Sequence, residues 1–176
     1  TAFILPRDVG FSGRVYGVIN GSVKTLNAQD ESVTAFETLT ATKQITWFAK
    51  KGLSTIPASS EYLDGEVYEM NSSDGEIQSI FRADQEHKAK LFNEISSNSP
   101  GFVGVKSFSD GVVRINGENG ALFEVKSNAS VYVLSADDPT EYKAGSLSSI
   151  KAGVQIRAYD ISDDDQLSAD IIVVKK

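Results

Sequence analysis

Short alternating runs of apolar and polar residues, broken by Gly, Asn and Asp, fill most of this chain. Alternation with a period of two marks a strand with one buried face, and the breaks carry turn chemistry. In the first half the pattern predicts strands over 13–19, 23–26, 33–39, 44–48, 66–70 and 76–81. Asn20-Gly21 fits a two-residue hairpin in which both residues take positive φ; one longer strand with a bulge is the competing reading. Thr40-Ala41-Thr42-Lys43 and Ser73-Asp74-Gly75 supply further turns. The second half predicts strands over 102–108, 112–115, 121–126, 130–134, 154–159 and 169–174, with hairpin signals at Asp110-Gly111 and Asn119-Gly120. The expected core positions are Val15, Ile45, Trp47, Val67 and Ile77, then Val103, Val131, Val133, Ile156 and Ile171.

Two stretches echo one another. Residues 63–80 and 150–172 each place an apolar residue near a Gly (Gly65, Gly153), then an alternating strand, an acidic turn and a second apolar strand. A spacing of about 88 residues is too long for a solenoid unit and implies tandem domains. Between them, residues 84–95 hold good helix formers with Asp84 placed to cap, and Ser96-Ser97-Asn98-Ser99-Pro100 breaks any helix. The expected architecture is all-β. Two related small barrels or sandwiches, 1–83 and 101–176, flank a connector at 84–100 that is either a short helix or extended chain.

Composition narrows the partners more than it names them. The net charge is −7, from 24 acidic and 17 basic residues, and no run of Lys and Arg exceeds two. Nucleic acid is therefore not an expected partner, because phosphate binding needs concentrated basic surface. There is no cysteine, so disulfide and thiolate chemistry are excluded. No apolar stretch approaches the roughly 18–20 residues of a membrane helix, so membrane insertion through a helix is not expected. The chain begins at Thr1 rather than Met and is expected to come from a longer product.

No convergent catalytic set is legible. His87 is the single histidine, and Gly10-Phe11-Ser12-Gly13 falls short of a nucleophile elbow. Asp160, Asp163, Asp164, Asp165 and Asp170 crowd one hairpin, and oxygen-rich clusters can bind calcium. Asp160, Asp163, Asp165 and Asp170 are the candidate ligands, and calcium is the one cofactor considered. The loop lacks the Gly and terminal Glu of an EF-hand, so a solvated acidic turn is the plainer reading. Trp47, Tyr16, Tyr62, Tyr68, Tyr132, Tyr142 and Tyr159 could form a sugar-stacking face, but their strand positions favour core and cross-strand packing. Asn71-Ser72-Ser73 and Asn128-Ala129-Ser130 match a glycan-acceptor triplet.

The second half resembles the β-repeat regions of Gram-positive S-layer and S-layer-homology cell-surface proteins. The residues that carry the likeness are 129–134 (Ala-Ser-Val-Tyr-Val-Leu), 142–153 (Tyr-Lys-Ala-Gly-Ser-Leu-Ser-Ser-Ile-Lys-Ala-Gly), 157–160 (Arg-Ala-Tyr-Asp) and 169–174 (Ala-Asp-Ile-Ile-Val-Val). In the first half, 15–19 and 44–47 are similar to the matching opening strands. The resemblance implies an exported, non-catalytic structural segment at the cell surface or wall. Its partners would be neighbouring copies or other domains of the same protein. A carbohydrate- or protein-binding module is the alternative.

Overall fold

The computed structural model describes residues 13–41, 44–53, 67–83, 102–117, 121–135, 137, 141–162 and 168–176. The 84–100 connector and the Asn119-Gly120 turn lie outside them, as do His87 and Tyr62.

Among the described residues, ten of eleven strands form two closed barrels. The first contains β1 (Gly13–Leu26), β2 (Ser32–Thr40), β3 (Gln44–Ala49), β4 (Tyr68–Ser73) and β5 (Glu76–Arg82), in the circular order β1-β2-β3-β5-β4. β1 closes the ring by pairing with β4 as well as β2, and β3 meets β5 in parallel. The second contains β6 (Val103–Ser109), β7 (Val112–Ile115), β8 (Leu122–Leu134), β10 (Gln155–Tyr159) and β11 (Ser168–Lys175). Its ring runs β6-β7-β8-β11-β10, with β8 and β11 parallel. A short strand, β9 (Tyr142–Ala144), is added to the far half of β8. Both rings therefore share one strand order, the OB-like arrangement of a small five-stranded barrel. The two echoing sequence stretches fall on topologically equivalent pairs, β4–β5 and β10–β11.

Turn chemistry explains two of the hairpins. Asp74-Gly75 and Asp110-Gly111 all take positive φ (52°, 78°, 52° and 76°), as a type I′ turn requires. Asn20-Gly21 does not turn the chain. The segments expected at 13–19 and 23–26 are one long β1, and the register slips between Ile19 and Gly21. Likewise 121–126 and 130–134 are one strand, β8, which bulges where Val125 pairs with Ala169 and Ser130 with Ile171. A bulge lets a long strand bend sharply enough to serve two neighbours in a small ring. Gly17 sits where β1 faces β2 and β4 together, paired with Thr40 and Tyr68. A Cβ there would stand 2.6 Å from the Leu39 carbonyl oxygen, so only glycine fits.

Three apolar clusters hold the molecule. The first barrel is filled by Ile19, Phe36, Trp47, Ala49, Tyr68, Met70, Ile77 and Ile80, with Val15 and Ile45 packed against them. The second is filled mainly by small aliphatic residues, among them Val105, Val113, Val125, Val131, Ile156, Ile172 and Val174. The third cluster draws on both halves: Val18, Leu39, Val67 and Ala83 meet Tyr132, Leu134, Tyr142, Tyr159, Ile171 and Val173. Val67 and Ile171, expected in the cores of their own halves, belong to this seam instead. Strand geometry gives the reason. Successive side chains point to opposite faces, so Ile172 and Val174 enter the barrel while Ile171 and Val173 face the neighbouring one. The Ile-Ile-Val-Val run is apolar throughout because both faces of β11 are covered.

Candidate functional site

Three polar constellations stand around the seam. The first is a clamp between the barrels. The Asn20 side chain, at the β1 bulge, donates to the Tyr142 carbonyl at 3.1 Å and accepts from the Tyr142 N–H at 3.0 Å. On either side of β9 the Gly145 N–H donates to the Val131 carbonyl and the Glu141 carbonyl accepts from the Ser135 N–H, so the backbone groups of Tyr142 between them point the other way. Asn20 takes up those of Tyr142 as a further strand would. An open cleft of about 430 Å³ lies beside this clamp, lined by Asn20, Glu37, Leu39, Gln44, Glu141, Tyr142, Lys143 and Ala144. It offers amides, carboxylates and one ammonium. Among its described lining residues the one aromatic, Tyr142, is turned into the seam rather than presented as a stacking platform.

The second constellation sits where β1 meets β4. Glu69 is 2% exposed, and the Tyr16 hydroxyl donates to it at 3.0 Å. The Arg14 guanidinium pairs with its other oxygen at 3.0 Å. Burial, followed by the hydrogen bond and charge of Glu69, pushes the Tyr16 phenol up to about 12. Register places these groups together, since Tyr16 is the Cα partner of Glu69. Sequence reading missed Arg14 and Glu69. Pairing across strands 53 residues apart left no local signal.

The third contains two of the four candidate calcium ligands. Asp170 Oδ1 pairs with Lys126 Nζ at 2.9 Å. Its Oδ2 accepts from the Ser162 hydroxyl at 2.7 Å and from the N–H groups of Ile161 and Ser162 at 3.0 and 3.2 Å. Lys126 also donates to the Ser162 hydroxyl, and Asp160 Oδ1 accepts from the Ser162 N–H at 3.2 Å. Burial alone would raise the Asp170 pKa, but donation from Lys126, Ser162 and Ile161 outweighs it and holds the carboxyl below its usual range. Asp160 and Asp170 are thus brought to one loop, and a lysine already stands against Asp170. Asp163 and Asp165 lie outside the described residues. Among the described residues, no group of three His, Cys, Asp or Glu side chains is gathered as a metal site would require. Sequence reading missed Lys126, which the β8 bulge carries toward a loop 36 residues away.

The tyrosines divide between two uses. Tyr68 fills the first barrel, whereas Tyr132, Tyr142 and Tyr159 fill the seam with Tyr16 at its edge. Burial holds the Tyr132 phenol well above its usual range. Of the two glycan-acceptor triplets, Asn71 lies within β4 and donates to the Ser79 hydroxyl at 3.0 Å, while Asn128 is exposed on the β8 bulge. Among the described residues no helix is long and apolar enough to cross a membrane.

No protein-family model matches the chain, and no curated protein matches it in sequence. Among solved structures, the chain is similar to one described as the tetrameric p202 HIN2. The two are 11% identical with a TM-score of 0.29, and the match covers 96% of this chain and 90% of that one. A likeness at that level carries no argument about function.

Proposed function

We propose that this chain is a non-catalytic structural segment of a secreted bacterial surface protein of the S-layer kind, serving as a rigid spacer or lattice unit. The observation that carries the reading is the seam, a buried apolar cluster of ten residues drawn from both barrels. Two small barrels sharing such a core move as one body, whereas domains joined by a polar contact swing. The polar clusters tie strands within each barrel rather than across the seam. Glu69 is closed off by Arg14 and Tyr16, and Asp170 by Lys126 and Ser162, so neither carboxylate stands open to a substrate. The S-layer-like strand and turn order of the second half gives the surface-protein context. The partners in this reading are neighbouring copies or adjoining domains, outside the cell.

Sedimentation and negative-stain microscopy at rising protein concentration test it. Ordered, concentration-dependent association supports a lattice unit, and a strict monomer with turnover on a glycan panel overturns it. The cleft at the barrel junction favours one second reading, a carbohydrate- or protein-binding module. Saturable binding to a glycan or peptide array, weakened by Gln44→Ala or Glu141→Ala, would move the assignment to that class.

A further inference from the structure

Asn20 is followed by Gly21, and this dipeptide has a chemistry of its own. With no side chain on the next residue, the backbone nitrogen of glycine can reach the side-chain carbonyl carbon of asparagine with little hindrance. Among the described residues nothing demands glycine at this position. Gly21 does not take positive φ, and a Cβ there would meet only the flexible Glu37 carboxylate, at 3.6 Å. Gly17, four residues earlier, is different, because a Cβ there would strike backbone at 2.6 Å. Asn20 also lines the open cleft, which admits water.

We propose that Asn20-Gly21 is a spontaneous deamidation site kept in check by the docking of the two barrels. In the reaction the Gly21 nitrogen gives up its proton, bonds to Cγ of Asn20 and expels ammonia, forming a succinimide. Water then opens either ring carbonyl and leaves aspartate or isoaspartate at position 20. While the barrels are docked, two hydrogen bonds to Tyr142 hold the amide against β9 and restrict its rotation toward Gly21. When the seam opens, that restraint is lost. The carboxylate formed can still accept from the Tyr142 N–H, but it has no N–H to give the Tyr142 carbonyl and sets a negative oxygen against it, so the two-bond clamp cannot re-form. The result is a one-way change in how firmly the barrels are joined. This inference stands apart from the surface-protein reading, because it depends only on the junction.

Asn116-Gly117 provides an internal reference, since Asn116 is exposed just past the end of β7. The test follows both sites by position-resolved mass spectrometry in the full chain at mildly alkaline pH, with and without urea. Asn116 is expected to convert several-fold faster than Asn20 in the native protein, and urea is expected to abolish that difference. Gly21→Ala should protect Asn20 in both conditions while leaving the melting temperature unchanged. Asn20→Asp should lower the melting temperature by roughly 3 °C or more, or split the transition in two. Conversion of native Asn20 as fast as Asn116, persistence of intact Asn20 in urea, or an Asn20→Asp protein that melts like its parent would each overturn the proposal.

Discussion

The two barrels share a strand order but fill it differently. The first uses a few large groups, with Phe36, Trp47, Tyr68 and Met70 meeting at its centre. The second uses many small ones, with Val, Ile and Ala at most positions and Phe123 as the one aromatic among its described buried core residues. Its tyrosines are turned outward, where Tyr132, Tyr142 and Tyr159 build the seam. A five-stranded ring therefore specifies a volume to be filled rather than the residues that fill it. What distinguishes the barrels is which one supplies the aromatic surface that joins them.

The largest contrast should appear on truncating single core residues. Trp47→Ala removes much of the centre of the first barrel and is expected to cost about 3–5 kcal/mol. Ile156→Val in the second removes a single methylene and should cost only about 0.5–1.5 kcal/mol. Urea denaturation measures both, and equal losses would break the contrast between concentrated and distributed cores.

Next in size is the seam. Leu134→Ala, which empties a buried site between the barrels, should cost about 2–5 kcal/mol. Its signature is qualitative as well: the parent should unfold in one calorimetric transition and the variant in two. A variant that loses stability yet keeps a single transition would show that the barrels are coupled elsewhere.

The Lys126–Asp170 latch belongs to the second barrel alone and should have a smaller effect. Asp170→Asn is expected to cost about 1–3 kcal/mol at neutral pH. Because the folded carboxyl is held below its usual range, its contribution is present above the unfolded value of about 3.9 and is lost as pH falls through the folded one. Parent and variant should therefore converge in acid-unfolding curves, and a constant gap down to the lowest pH would refute the linkage. Calcium titrated into the parent and into Asp163→Asn/Asp165→Asn, followed by calorimetry, tests the ion hypothesis beside it. With the Lys126 ammonium in place, the expected heats are small and equal.

The smallest effect belongs to Tyr16 at the rim of the first barrel. Its phenol should titrate near 12 by phenolate absorbance, and Glu69→Gln should lower it only in part, because burial is the larger cause. Raised in the folded state, this group contributes stability below pH of about 10 that disappears as pH climbs through the folded value. A titration near 10 in the parent would mean that Tyr16 is neither buried nor paired with Glu69 in solution.

By itself the sequence determined the class of this fold, most strand positions and the Asp-Gly hairpins, because those follow from residues one or two positions apart. Alternation fixed which positions could be buried, and Trp47, Ile77, Val131 and Ile156 are core residues as that pattern expects. Only the tertiary structure decided that Asn20-Gly21 bulges instead of turning, since its Cα partners in β2 are set by the ring. It also decided which face of a doubly apolar strand is a core and which is a junction. In 171–174 all four residues read alike, and their division between barrel and seam exists only once a second barrel is present. The polar clusters were hidden for the same reason. Arg14 with Glu69, and Lys126 with Asp170, are neighbours through strand register and bulges, which bring together residues that no local pattern connects.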